Sequence, residues 1–506
     1  MMVTDFNIMA GGEAGQGVQS VGTILARTMT NGGLNVFADQ DYESRVRGGH
    51  NFFRIRISDS EIQSLSEKLD ILVALNKETI DLHSNKLKSN GIIIYDQKQT
   101  QSDTGDGNLF NVPLEQLAEE QAKNKLLTNT VAVGAAIGLC GYDFDILSDV
   151  LTKEFSRHGE KIILDNITAA RAGFDYAIVH GADTLVQKIK PVPGKRKKML
   201  LHGNEAIALG AMVGGCKFFS GYPMTPASSI MEYLADKGRQ HNVVTVHVED
   251  EIAAINMAVG AAYSGVSSMV ATSGGGFSLM VEGLSLAGMT ETPIVIVLAQ
   301  RPGPATGLPT RTEQGELWFA LHAGHGEFPR AILAPATVEE SFHSTIKAFN
   351  LAEKYQTPVF ILTDHHLASS YSTVEQFDLS QVKIDKGNLL SDEEVKNLID
   401  YKRHLVTESG ISPRALPGQG EALVVTDSDE HSEAGHIIED AKTRNLQNLK
   451  RLRKQEALKT EISEPRFSEV PDAKYTFIGW GSTRGAIKEA CDTLNREGEA
   501  VNALHL

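Results

Sequence analysis

An α/β fold built on doubly wound parallel sheet, spread over more than one domain, is what this sequence predicts, and three observations predict it. Short, nearly continuous apolar runs (VVTVHVE, SSMVAT, PIVIVLA, RAILAP and PVFILTD) recur between residues 200 and 375 with helical stretches between them. Strands buried on both faces read this way. Their carboxyl ends are bordered by Gly, Ser or Thr, the residues of tight strand-to-helix turns. The chain is 506 residues long, too long for one core at roughly 100–200 residues per domain.

Composition narrows the class. The chain is 41% hydrophobic and 22% charged, ordinary for a soluble globular enzyme. No run of about 18 apolar residues occurs, so no membrane span is expected. The N-terminus, MMVTDFNIMAGGEAGQGV, lacks the basic region and apolar core of a signal peptide, which makes the cytoplasm the expected location. A net charge of −16 argues against a nucleic-acid surface. Cys140, Cys216 and Cys491 are scattered with no C-x-x-C spacing. They make no disulfide framework and are too few for an iron–sulfur cluster, so any cluster must lie on another chain.

Residues 1–190 form the first expected domain. DFNIMAGGEAGQGVQSVGTILARTMTNGG reads as strand, glycine turn and long helix. Its glycines are spaced GGxxGxG rather than GxGxxG, and no clear acidic residue closes a second strand about 20 residues on. Tight strand-to-helix packing is the better reading than a dinucleotide site. NVFADQDYESRVRGGHNFFRIRIS then supplies a basic, glycine-hinged loop (Arg45, Arg47, Gly48, Gly49) and a strand alternating at period two. Two arginines beside glycines can hold a phosphate or a partner's carboxylates; a solvated loop accounts for them equally well. LDILVALN, GIIIYD and NTVAVGAAIGLCG are read as strands of a βαβ layer. The basic, proline-bearing stretch VQKIKPVPGKRKKML, residues 186–200, reads as a solvated crossing between domains.

Residues 200–375 carry the chemistry. GCKFFSGYPMTPASS is a short strand that breaks at Gly221. Pro223 and Pro226 remove two backbone donors and fix two φ angles, so Tyr222, Met224 and Thr225 sit on a stiff loop, with serines where N-caps belong. A strand end, a rigid loop and a helix N-terminus together mark where open α/β sheets bind ligands. A proline-stiffened turn with no ligand has the same spacing. HNVVTVHVED alternates as a strand ending in acid, and EDEIAAINMAVGAAYSG is a helix of small residues that another backbone, subunit or flat cofactor can approach closely. Glu249, Asp250 and Glu251 are each ordinary dipole partners of a first helical turn. A carboxylate among them, partly desolvated, can equally bind a protonated ring nitrogen.

Thr272-Ser273-Gly274-Gly275-Gly276 is a second strand-to-helix turn whose N–H groups can face an anion. Without a P-loop lysine it is not a nucleoside triphosphate site, and close packing of two subunits over a cofactor is the better reading. Gln300–Phe319 is a stiff, non-helical loop in which Arg301 and Arg311 are the only cations. Either can offer a carboxylate ligand a forked donor, or pair with Glu313 or Glu316. Thr225, Glu251, Ser273, Gly274, Gly275, Arg301 and Asp364 are expected along one sheet edge. His322 and His325 read as structural, and Asp364-His365-His366 is a weak metal box because adjacent histidines seldom face one point. No metal ligands are assigned to this chain.

YPMTP, Tyr222–Pro226, resembles the YP-x-TP signature of 2-oxoacid:ferredoxin oxidoreductases, and EDEIAAINMAVGA resembles the helix that carries their thiamine-contacting glutamate. The resemblance continues from Ala271 to Arg330, while GGEAGQGV and S-x-x-R-G-G resemble the gamma subunit, with Ala14 where glycine is usual. It implies an alpha subunit with a fused gamma-type α/β domain over residues 1–190 and a thiamine-diphosphate-binding, pyrimidine-type domain over residues 200–375. It further implies Glu251 as the catalytic group on the aminopyrimidine, with Glu249 as second choice, and Pro223, Ser273 and Gly274 beside the cofactor. Tyr222, Thr225 and either Arg301 or Arg311 would meet the substrate; Arg45 and Arg47 would meet coenzyme A phosphates. The resemblance implies a beta subunit that shares thiamine diphosphate and carries Mg2+ and a [4Fe-4S] cluster, in an alpha–beta heterodimer or its dimer. The implied reaction is oxidative decarboxylation of a 2-oxoacid to its acyl-CoA with electrons passed to ferredoxin. The gamma–alpha fusion and GLPTRTEQGELWF favour 2-oxoglutarate.

Residues 376–470 are strongly charged and read as a solvated connector. Residues 471–506 resemble the opening of a transketolase-C-terminal-like domain, ending on a strand with nothing to pair with, so the polypeptide is expected to continue or to lean on an assembly. Three alternatives stand beside the main reading: pyruvate or a branched-chain 2-oxoacid as substrate, a thiamine-dependent ligase or decarboxylase without ferredoxin, and a non-catalytic scaffold. A cysteine-bearing partner chain would separate the main reading from the ligase or decarboxylase; convergence of YPMTP with Glu251 bears on the scaffold.

Overall fold

The computed structural model describes residues 5–43, 48–100, 109–181, 188–192 and 198–506. Arg45 and Arg47, the expected coenzyme A contacts, lie outside the described residues. The chain divides into two compact units, one of Met1–Leu201 with Ser370–Phe377 and one of His202–Ser369 with Asp378–Leu506.

The first unit is built on strands β1 (Asp5–Glu13), β2 (Asn35–Asp41), β3 (His50–Ser58), β4 (Leu69–Ala74), β5 (Leu87–Tyr95), β6 (Leu109–Asn111) and β7 (Lys198–His202). They form one sheet in the order β6-β5-β4-β1-β3-β2, followed by Tyr371–Glu375 and then β7. β1, β4, β5 and β6 run parallel, whereas β3 pairs antiparallel with β1 and β2. The glycine turn after β1 feeds the helix Val18–Asn31 as expected, with Gly17 in the left-handed region at φ 73°. Two expectations are corrected. NTVAVGAAIGLCG is helix, Thr128–Leu139, not strand. A run that is apolar on every side carries no period, and here it is buried all round because Gly134 and Gly173 let it touch the helix Glu160–Gly181. A Cβ on either glycine would collide with the other helix's backbone carbonyl, of Ala170 or Val131. The second domain was also expected to run unbroken to residue 375, yet Tyr371 and Ser372 pair with Ala38 and Phe37 on β2.

The second unit holds the doubly wound sheet. Its strands are β8 (Phe218–Gly221), β9 (Val244–His247), β10 (Ser268–Thr272), β11 (Ile294–Gln300), β12 (Ala331–Leu333) and β13 (Pro358–Asp364). They are parallel, in the order β12-β13-β11-β10-β8-β9. Alternate residues of β10 and β11 enter different cores. Met269, Val295 and Val297 pack with the helices Gly203–Val213, Ser228–Lys237 and Val338–Tyr355; Val270, Ile296 and Leu298 pack with Glu251–Tyr263 and Gly274–Met289. β10, β11 and β13 are buried at every position, which is why they read as continuous apolar runs.

The segment expected as a solvated connector is different. Its helix Ala441–Glu461 buries Lys450, Arg451 and Lys454. Lys450 Nζ lies 2.5 Å from Glu291 Oε1, Lys454 reaches Glu291 Oε2, and His404 Nδ1 lies 3.1 Å from Oε1. Burial alone would raise the Glu291 carboxyl, but Lys450 and Lys454 hold it well below its usual range. Arg403 donates to the Glu291 carbonyl at 2.8 Å. Charge-rich composition predicts solvent only when charges are unpaired, and these are paired and bonded. The end of the chain is also corrected: Val501–His505 pairs on both sides, parallel with Tyr475–Gly479 and antiparallel with Arg466–Ser468. Among the described residues no helix is long and apolar enough to cross a membrane.

Candidate functional site

In the second unit the chain winds from β8 to β9 in one direction and to β10 and β11 in the other. The carboxyl ends of β8 and β10 therefore flank a topological switch point, the crevice where such sheets bind ligands. The residues singled out by spacing lie there. After Gly221 the chain enters the proline-stiffened loop, which closes on itself through Ala227 N and Met224 O at 2.8 Å. Asn204 supports it, donating through Nδ2 to Pro226 O at 2.7 Å and to Ser229 Oγ at 2.9 Å. The following helix begins at Ser228 with Ala227 as its N-cap, so the serines do not cap it as expected. Tyr222 is 41% exposed, its ring edge-on to His247 with centroids 6.0 Å apart.

Asp250 caps the next helix, accepting from Ala253 N at 2.8 Å. That leaves Glu251 as first helical residue, turned inward and 3% exposed, while Glu249 faces solvent. Glu251 Oε1 is buried and has no hydrogen-bond partner among the described residues. Burial raises its carboxyl above the ordinary value and Asp250 adds to the shift, against the pull of its own backbone N–H and the Thr272 hydroxyl. The carboxylate lies over Gly276, where a Cβ would collide with Thr272 Oγ1 and with Glu251 Oε1. Met224 Sδ is 3.9 Å from the same Thr272 hydroxyl. YPMTP and Glu251 thus converge around Thr272. Ser273, buried with no partner for its hydroxyl among the described residues, starts the helix Gly274–Met289.

The Gln300–Phe319 loop closes the crevice from the β11 side. Arg301, 8% exposed, donates through Nη1 to Thr225 O at 2.7 Å, which joins this loop to YPMTP. Burial lowers its guanidinium below the ordinary value, and Glu316 opposes that shift. Arg311 is only partly buried, and its Nη1 donates to Thr310 O at 3.1 Å. Spacing alone left the two arginines equal; packing separates them.

Three further residues were not assigned roles from the sequence. Glu316 packs against Gly274, where a Cβ would collide with its Oε1, and its Oε2 is buried without a partner among the described residues. Burial and Glu313 push its carboxyl up to about 7, with Arg301 pulling the other way. Gln300, the last residue of β11, accepts from Glu316 N at 2.9 Å and donates to Thr363 O at 3.1 Å. Asp364 accepts at Oδ2 from Gln314 Nε2 at 3.0 Å and from Ser482 Oγ at 2.6 Å. It therefore ties the arginine loop to the Trp480–Ser482 turn. Polar residues closing apolar strands were a signal for Gln300 and Asp364; Glu316 stood in the sequence only as a possible ion partner of the loop arginines. Burial pulls His365 down to about 4, and no group of three metal-ligating side chains occurs among the described residues. His322 stacks on Trp318 at 5.2 Å.

The elements that border the crevice expose large apolar side chains. Ile252 and Met257 of one helix, Leu279 of the next, and Leu308 and Trp318 of the loop are all exposed, Trp318 at 73%. Gly260 has open space where a side chain would stand. Large apolar residues gathered beside a crevice mark a surface that another molecule covers. In the first unit a separate cavity of about 440 Å³ is lined by Gly15, Gly17, Ser20, Tyr42, Asn51 and Phe52 among others.

Residues 209–450 match the family described as pyruvate flavodoxin/ferredoxin oxidoreductase, thiamine diphosphate-binding, and residues 7–176 match pyruvate ferredoxin/flavodoxin oxidoreductase. A 2-oxoacid:ferredoxin oxidoreductase subunit alpha of Sulfolobus sp is 35% identical, over 96% of this chain and 84% of that protein. The 2-oxoglutarate oxidoreductase subunit KorA of Mycobacterium tuberculosis is 30% identical, over 98% of this chain and 80% of its own length. Among solved structures, 2-oxoglutarate:ferredoxin oxidoreductase from Magnetococcus marinus, with 2-oxoglutarate, coenzyme A and succinyl-CoA bound, superposes with a TM-score of 0.90. It is 32% identical and covers 99% of this chain and 87% of that one.

Proposed function

This chain belongs to the 2-oxoacid:ferredoxin oxidoreductase family, as an alpha-type subunit with a gamma-type first unit, and on that premise we propose that it oxidatively decarboxylates 2-oxoglutarate to succinyl-CoA. Electrons pass to ferredoxin one at a time. The observation that carries the reading is Glu251: a buried carboxylate oxygen without a partner among the described residues, lying over a glycine at the switch point.

The residues fit thiamine diphosphate. A carboxylate oxygen with no partner among the described residues suits a cofactor ring nitrogen, and the lack of a side chain at Gly276 is what lets the Glu251 carboxylate sit there beside Thr272. When bound, thiamine diphosphate supplies the electron sink for loss of carbon dioxide. Glu251 would share a proton with the ring nitrogen at Oε1, in a pocket whose burial raises its affinity for protons. Pro223, Ser273 and Gly274 wall the same crevice. Arg301, fixed by Thr225 O, presents its remaining N–H groups to the substrate's 1-carboxylate. Tyr222 and Thr225 border the substrate. Arg311, on the same loop, takes the distal carboxylate that distinguishes 2-oxoglutarate from pyruvate.

The apolar rim is the seat of a beta subunit, in an alpha–beta heterodimer or its dimer in the cytoplasm. Cys140, Cys216 and Cys491 are buried and too few for a four-thiolate cluster. The [4Fe-4S] cluster is therefore assigned to that partner, and Mg2+ goes with it on the family resemblance alone. Coenzyme A is the acyl acceptor, with Arg45 and Arg47 of the first unit as phosphate contacts.

The test is 2-oxoacid-dependent viologen reduction by the complex copurified with its partner chain, comparing 2-oxoglutarate with pyruvate. Activity with 2-oxoglutarate that collapses in Glu251→Gln supports both reaction and site. Full activity in that variant moves the assignment to Glu249. No reduction with any 2-oxoacid, despite bound cofactor and intact cluster, leaves a scaffold.

A further inference from the structure

The buried acid Glu316 takes no part in the reaction as derived so far, yet it sits where a substrate carboxylate would arrive. Its backbone N–H is tied to Gln300 at the end of β11, and its Oε1 is pressed against Gly274. Its Oε2 is buried and meets no donor among the described residues. An ionised carboxylate in that position would leave an acceptor unsatisfied in a low-dielectric pocket, which is unfavourable; a protonated one carries no charge to solvate. The charged groups that face it are Arg301 and Glu313 on its own loop. The helix Gly274–Met289 brings Gly274 against it, and Glu251, from the neighbouring helix, lies over Gly276, two residues along.

Arg301 is then the one cation coupled to this acid among the described residues, and it is the group to which the proposed substrate brings a second negative charge. Two carboxylates around one buried guanidinium cannot both stay ionised without a large penalty. We infer that Glu316 is a charge-compensating residue. It takes up a proton when a 2-oxoacid carboxylate docks on Arg301, and it returns the proton when that carboxylate departs as neutral carbon dioxide. The proton comes from solvent and goes back to it, so charge balances over the cycle. Glu316 acts through Arg301 and positions the substrate's charge; it does not touch the reacting bond. The inference rests on the 2-oxoacid reading above.

The test uses the full complex with its partner chain, depleted of thiamine diphosphate so that no turnover occurs. Calorimetric titration with 2-oxoglutarate at about pH 7.5, in two buffers of different ionisation enthalpy, counts protons taken up on binding. Wild type is expected to take up a substantial fraction of a proton, approaching one at higher pH, and Glu316→Gln none. In the cofactor-loaded complex, the wild-type KM for 2-oxoglutarate rises above about pH 7, by up to about tenfold per pH unit. The Gln variant, neutral throughout, has a flat KM that falls below the wild-type value at high pH, and Glu316→Asp restores a slope. Equal proton uptake in wild type and Glu316→Gln, or a flat wild-type KM, overturns the inference while leaving the reaction intact. If Glu316→Gln fails to assemble, the wild-type proton count decides alone, and zero uptake overturns it. Absence of any 2-oxoacid binding or turnover removes the reading and the inference together.

Discussion

Arg301 donates through Nη1 to the backbone carbonyl of Thr225 at 2.7 Å, joining the loop after β11 to the loop after β8. One hydrogen bond thus sets the distance between the proposed carboxylate clamp and the wall of the cofactor crevice. It also uses up one donor of the guanidinium fork, so the proposed clamp would work with the donors that remain.

Arg301→Lys keeps the charge and loses the fork. Transition-state binding is expected to weaken by about 2–5 kcal/mol, read as a loss of kcat/KM in viologen reduction. An unchanged kcat/KM would remove Arg301 from the substrate site.

Gly276→Ala forces a methyl group into the space between Thr272 Oγ1 and the Glu251 carboxylate. Overpacking of this kind costs about 1–3 kcal/mol, and the expected result is a folded protein with weaker thiamine diphosphate affinity. Fluorescence titration of the cofactor against the reconstituted complex measures it; native affinity would show that Glu251 does not face the cofactor.

Arg311→Gln should raise KM for 2-oxoglutarate by at least about tenfold, the loss of one charge-assisted contact, with little change for pyruvate. Equal effects on both substrates would mean that Arg311 supports the loop and does not read the distal carboxylate.

Glu291 is held ionised by Lys450 and Lys454 against the effect of its own burial. Its folded value lies below the ordinary 4.5, so the stability it contributes is fully present above that pH. It drains away as the medium is acidified toward the depressed value. Thermal unfolding midpoints of wild type should therefore fall as pH drops below about 4.5. Replacing Lys450 and Lys454 together by Met should destabilise by about 3–5 kcal/mol at neutral pH, by leaving a buried charge unpaired. Adding Glu291→Met to that pair should recover most of the loss. A double variant as stable as wild type would mean that the charge network does not hold the helix Ala441–Glu461 in place.

Much of the second unit was legible in one dimension. β10, β11 and β13 were readable as apolar runs, because a strand covered on both faces has no polar side to interrupt it. The crevice was legible too, since Gly221, Pro223, Pro226 and Gly274 are residues whose backbone constraints act locally. The helix Thr128–Leu139 was not, because Gly134 and Ala170 meet across 36 residues of sequence and their contact erases the helical period. Nor was the return of Tyr371–Glu375 to β2, a pairing that no local pattern encodes.

By itself, then, the sequence determined the strands, the stiff loops and the short list of residues at the crevice, along with the family resemblance those motifs carry. Only the tertiary structure decided among that list. It buried Glu251 and left Glu249 in solvent, tied Arg301 to Thr225, and raised the Glu316 carboxyl by burying it. It also turned a charged connector into a buried ion network around Glu291. The reason is physical: backbone constraint and periodicity are properties of neighbouring residues, whereas the desolvation of a charge depends on every group packed around it.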